Sequence, residues 1–230
     1  MRWLIIIFML TAALHVTAQR KTAIKPAGNR SPARSVNAKV PGTVPVKSEA
    51  RVYRNSRFGF EITFPDNWTI ADATFDAEMR GKGFDLALKA PETLAPQTKA
   101  QVNRALRNVT VLLTAFRTRS GASDSAIVRV SSEDLSDLPQ VRDAVDYFDL
   151  MRSQYRAMKL PADFSYSETG AEKLGTKQFA FLDTNSTAGK KRMYATVKNR
   201  HAIIFTLSYR NIADLQAFRR ILSQGNFFLK

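Results

Sequence analysis

Gly170-Ala171-Glu172-Lys173-Leu174-Gly175-Thr176-Lys177 comes nearest to a loop that cradles phosphate. It lacks the decisive feature, because the lysine must directly follow the second glycine and Thr176 intervenes. Gly189-Lys190-Lys191 has no upstream glycine, since Thr184 holds that position. No Gly-x-Ser-x-Gly elbow and no Ser-x-x-Lys pair occurs. Histidine is confined to His15 and His201, and cysteine is absent. A hydrolytic nucleophile needs a base within hydrogen-bond reach, and catalytic zinc usually needs several nitrogen ligands. One histidine at the start of an apolar strand supplies neither, so His201 reads as a strand-edge residue.

The carboxylates and cations remain. Glu133, Asp134 and Asp137 could hold a hard cation, but they lack the calcium-loop pattern of alternating acids around a glycine. Complementarity to the positive end of a following helix accounts for them. Asp143, Asp146 and Asp149 drift around a helix that also carries Arg142, Arg152 and Arg156, which is the pattern of a solvated, charge-paired face. Arg117, Arg119 and Arg129 fall on one face of a hairpin if residues 120–124 form its turn. Lys190, Lys191 and Arg192 sit at the hairpin loop expected between the strands over 177–182 and 192–197. These six cations are the candidate partner-binding residues, with charge that keeps the chain soluble as the plainer reading. Asn67, Asn108 and Asn185 open glycosylation sequons, which matter only in a eukaryotic secretory route. The inventory predicts a protein that is not an enzyme and binds no cofactor or metal.

Composition sets the wider frame. The 230 residues carry 35 Lys and Arg against 20 Asp and Glu, a net charge of +15, with 44 % hydrophobic residues. Such a chain is too apolar to be wholly disordered. Without cysteine it has no disulfide scaffold and is indifferent to an oxidising compartment.

Residues 1–18 read as a secretory signal: Arg2, an apolar run from Leu4 to Leu10, then Val16-Thr17-Ala18 before a cleavage point at Gln19. The run is shorter than the roughly 20 apolar residues that span a bilayer. The expectation is an exported protein, periplasmic or extracellular, with no transmembrane span after cleavage. Residues 19–50 carry seven basic side chains, one acid and four prolines. They read as a disordered basic linker. Its plain role is a spacer; its sharper one is adhesion to an anionic surface through residues 19–47. No aromatic is interleaved to stack on bases, so no specific nucleic-acid partner is expected.

Residues 51–230 read as one domain. Phe58, Phe60, Ile62 and Phe64 alternate with smaller or polar residues, so one strand face is aromatic and buried. Trp68-Thr69-Ile70 and Phe84, Leu86 and Leu88 suggest further strands, and residues 91–107 a helix. Residues 109–116 are apolar on both faces, as in a central strand. Residues 139–159 read as the clearest helix, with Pro139 in its first turn. Strands over 177–182, 192–197 and 201–208 precede a helix over 212–222. Hairpin-linked strands with helices at intervals imply an α+β protein with a largely antiparallel sheet.

Tyr53, Phe58-Gly59-Phe60, Phe64-Pro65 and Trp68 resemble the opening motif of the PsbP-like fold. The ending resembles it too: hairpinned strands over 194–209, a helix, Ile221-Leu222-Ser223 and Phe227-Phe228. That superfamily includes the extrinsic PsbP subunit of photosystem II, a Ran-binding nuclear import factor and many exported bacterial proteins. The resemblance implies an α/β/α sandwich, a mostly antiparallel central sheet with helices packed on its faces, over most of residues 51–230. It implies no catalytic residues, since the family is generally non-enzymatic. The expected function is an exported, non-catalytic binding or accessory protein engaging a protein or cell-envelope partner. The alternative is adhesion of the basic tether to polyanions or an anionic membrane surface.

Overall fold

A computed structural model describes residues 51–71, 96–117, 126–158, 160–187 and 189–227. The leader, the linker, the expected strand at 84–88, the turn at 120–124 and Arg119 lie outside the described residues. Chain order is β1 (Arg51–Asn55), β2 (Phe60–Phe64), β3 (Trp68–Ile70), α1 (Pro96–Leu106), β4 (Val109–Arg117), β5 (Ile127–Asp134) and α2 (Ala144–Ala157). Then come β6 (Ser165–Tyr166), β7 (Gly170–Leu174), β8 (Lys177–Ser186), β9 (Gly189–Lys198), β10 (His201–Tyr209), α3 (Ile212–Gln224) and β11 (Asn226–Phe227).

Among the described residues the main sheet runs β3-β4-β5-β10-β9-β8-β6, with β7 also on β8, and a small sheet runs β1-β2-β11. Every pairing described is antiparallel. Period-two alternation gives the main sheet two apolar faces. One packs Leu182, Met193, Ala195 and Ile204 against Tyr147, Phe148, Met151 and Tyr155 of α2 and Val102 of α1. The other packs Phe179, Tyr194, Phe205 and Leu207 against Leu215, Phe218 and Leu222 of α3 and Phe58, Phe60, Ile62 and Phe64 at the small sheet. The second face is thus closed by a helix and a three-stranded sheet together.

Two tight turns hold these layers in register. Asn199 and Arg200 both have positive φ, 51° and 58°, which suits a two-residue hairpin between β9 and β10. Gly175, φ 59°, turns β7 into β8 beneath the end of α3, where a Cβ would stand 2.2 Å from the Ser223 carbonyl oxygen.

Three expectations need correction. The helix expected from Pro139 starts five residues later, at Ala144, because Asp143 is the residue able to cap it. Its Oδ1 accepts from the backbone N–H of Val145 (2.8 Å) and Asp146 (2.9 Å). Val145, in the first turn, is 43 % exposed. Asp143→Ala is expected to cost about 1 kcal/mol in urea unfolding. Strand β4 is not covered throughout: Val111 is 40 % exposed, and the register shifts between Val111 and Leu113. The strand buried along nearly its whole length is β10. Finally, β8 and β9 extend to Ser186 and from Gly189, so Lys190, Lys191 and Arg192 belong to a strand and not to a loop.

Candidate functional site

Strand register separates the five candidate cations that lie among the described residues. Arg129 lies opposite Thr114 on β4, three residues before Arg117, so Arg117 and Arg129 project from opposite faces. The expected shared face does not exist. Arg117 reaches the α3 side, where its Nη1 donates to Asp214 Oδ1 at 2.5 Å; Asp214 is 0 % exposed. Lys191 pairs with Ser208 and Arg129 with Thr206, which puts Lys191 and Arg129 on the α2 face together. Burial and then the charge of Arg129 push the Lys191 ammonium down to about 7. Burial also lowers Arg129. Lys190 is exposed, and with Arg192 it alternates onto the face opposite Lys191.

Arg192 is tied into the scaffold. Its Nε donates to Asp183 Oδ1 and its Nη2 to Asp183 Oδ2, the latter at 2.5 Å, across the β8–β9 pair. Its guanidinium lies 4.1 Å above the Phe181 ring, and Nη1 donates to the Tyr194 hydroxyl at 3.2 Å. Tyr194 in turn donates to Glu172 Oε2 at 2.6 Å, and Arg219 of α3 donates to Glu172 Oε1. Burial alone would lower the Arg192 pKa, but the Asp183 pair raises it overall. Burial, then the Glu172 bond, raises Tyr194. The network joins β7, β8, β9 and α3, and each charge meets a partner of opposite sign.

Glu133 is the most perturbed carboxyl. It stands on β5 facing α2, 0 % exposed, and accepts from the Tyr147 hydroxyl at 2.7 Å. Its other oxygen has no partner among the described residues, and neither do Tyr155 Oη, Gln154 Oε1 and Ser131 Oγ. Desolvation pushes its pKa up to about 8 against the lowering effect of the Tyr147 bond. It therefore does not serve the start of α2 as expected. Asp143 and Asp146 do that, while Asp134 accepts from Ser136. Glu133 carries a proton at neutral pH, but it is enclosed, and α2 would have to move for any solute to reach it.

The cations that do gather around an opening lie elsewhere. A shallow cleft between the two sheets has Phe58, Phe60, Phe205 and Phe227 on its floor and Lys177 and Lys198 on its rim. The rings interlock, Phe60 to Phe205 at 5.3 Å and Phe205 to Phe227 at 5.9 Å. Gly59, φ 65°, lets the β1–β2 turn fold over it. Burial, then the charge of Lys198, lowers the Lys177 pKa. Arg57 lies 5.1 Å from the centre of the Phe58 ring, and its Nη2 is 3.3 Å from His201 Nε2. Arg200, exposed beside them, donates to the Ser136 carbonyl at 2.8 Å. Three turns thus bring Arg57, Lys177, Lys198 and Arg200 to one end of the molecule. Sequence spacing hides this: Lys177 and Lys198 are far apart along the chain, and each ends a strand beside a turn. The β8–β9 register supplies the signal, since continuing it past Ala180 opposite Ala195 brings Lys177 opposite Lys198. Such an arrangement attracts an anion bearing an apolar group.

Among the described residues no group of three or more His, Asp or Glu side chains is placed to hold a metal ion, and no helix is long and apolar enough to cross a membrane.

No protein-family model matches the chain, and no curated protein does. Among solved structures it is similar to cyanobacterial PsbP (CyanoP) from Synechocystis sp. PCC 6803, at 13 % identity and a TM-score of 0.44, over 82 % of this chain and 99 % of that one. The architecture itself is α+β, with every described strand pairing antiparallel.

Proposed function

We propose that this protein is an exported, non-catalytic binding or accessory protein, and that its folded domain engages an acidic protein or cell-envelope partner at the basic-rimmed cleft. Lys177 and Lys198, rimming an aromatic floor, carry this reading. A rim of like charge steers an oppositely charged partner. Export rests on the leader-like residues 1–18, and the basic residues 19–47 would tether the domain at a distance.

The probe is a fluorescent peptide of alternating Asp and Phe, titrated against the chain lacking residues 1–18. Lys177→Glu with Lys198→Glu is expected to weaken binding by at least about tenfold, and added salt should weaken wild-type binding. Deleting residues 19–47 should leave affinity nearly intact. Loss of binding on that deletion, with the double variant unaffected, would instead establish tether adhesion.

A further inference from the structure

We propose that His201 gates this cleft: a proton on its Nε2 drives Arg57 off the histidine and the Phe58 ring and adds that cation to the rim. The inference rests on the binding reading above and adds its regulation. His201 Nδ1 lies 2.8 Å from the Asn199 carbonyl oxygen, an atom that can only accept, so Nδ1 carries the hydrogen. Nε2 then presents a lone pair, and the Arg57 Nη2–H donates to it at 3.3 Å. The imidazole is also 5.3 Å from Phe58, the ring that Arg57 covers.

Protonation removes that lone pair. Two N–H donors and two positive charges then face one another at contact distance, and the contact becomes repulsive. Arg57 is exposed and can leave, whereas His201 is held by the β10 ladder between β5 and β9. The charged groups around the ring come from each neighbouring element. Asp134 on β5 and Lys198 on β9 are its cross-strand partners, and Arg200 adjoins it. Both consequences have one sign. His201 gains a charge and Arg57 is released to the mouth of the cleft, so acidification strengthens the hold on an anion.

With residues 1–18 removed, His201 is the single histidine of the chain, so its ring resonances titrate alone in the NMR spectrum. As they do, the Arg57 side-chain protons should lose the ring-current shift imposed by Phe58. The Asp-Phe peptide should bind about three- to tenfold more tightly at pH 5.5 than at pH 7.5. His201→Gln, which cannot take up the proton, should abolish that gain, and Arg57→Ala should reduce it. Arg57 shifts indifferent to His201 titration, or an equal acid gain in His201→Gln, would overturn the gate. Binding that needs Lys177 and Lys198 but is flat with pH overturns the gate alone. Absence of peptide binding at any pH overturns the binding reading, and the NMR titration still decides the gate.

Discussion

Glu133→Gln is expected to remove a decline in stability with rising pH that the wild-type protein shows between about pH 5 and pH 8. The folded-state pKa stands near 8, against an ordinary value of 4.5. Between these values the folded chain keeps a proton that the unfolded chain has lost. Stability then falls as pH rises, by up to ~1.4 kcal/mol per pH unit. Below about 4.5 both states are protonated and the stabilisation is fully present. Above about 8 both are ionised, and the slope from this group ends. Over the window the loss amounts to about 4 kcal/mol, a large share of the 5–15 kcal/mol typical of a whole domain.

The cause is local. A carboxylate at this place would face the apolar side of α2 with one phenol for company, while the neutral acid satisfies Tyr147 at far lower desolvation cost. Glutamine offers Tyr147 the same acceptor without the option of charge. Urea unfolding at pH 5, 6.5 and 8 should therefore show converging stabilities at low pH and a variant that is the more stable one at pH 8. Parallel pH dependences for the two proteins would mean that Glu133 is ionised when folded and that α2 accommodates a charge.

The features legible in the sequence are those that local periodicity determines. The alternation of Phe58, Phe60, Ile62 and Phe64 carries both strand β2 and its buried face, because period two needs no knowledge of the partner strand. What depends on pairing is less accessible. Whether Arg117 shares a face with Arg129 turns on a single residue of register, and one slip inverts the answer. Glu133 sits in a run of acids that looks like a helix start, and only the approach of Tyr147 from α2 shows that it is buried. The cleft is legible last of all. Its cations come from three turns, and its floor residues look like ordinary core because most of each ring is core.

Arg192→Met tests where scaffold ends and binding surface begins. Among the six basic residues singled out by type and spacing, Arg192 has the most completely described set of partners, and its side chain is only 15 % exposed. Removing it leaves Asp183 and Glu172 as neighbouring carboxylates in a half-buried site and strips the Phe181 ring of its cover. Breaking a fully buried pair from one side costs about 3–5 kcal/mol; with Asp183 still 34 % exposed, a loss of about 2–3 kcal/mol is expected. Methionine keeps much of the aliphatic bulk, so the loss reports charge and hydrogen bonds more than a cavity. Asp183→Asn in the same background should recover part of it, since one stranded charge then disappears. The cleft lies toward the opposite ends of β8 and β9, where Lys177 and Lys198 stand. Peptide affinity of the folded variant should therefore match wild type. A variant of normal stability with weakened peptide binding would reverse the assignment, making Arg192 a contact residue and the cleft a bystander.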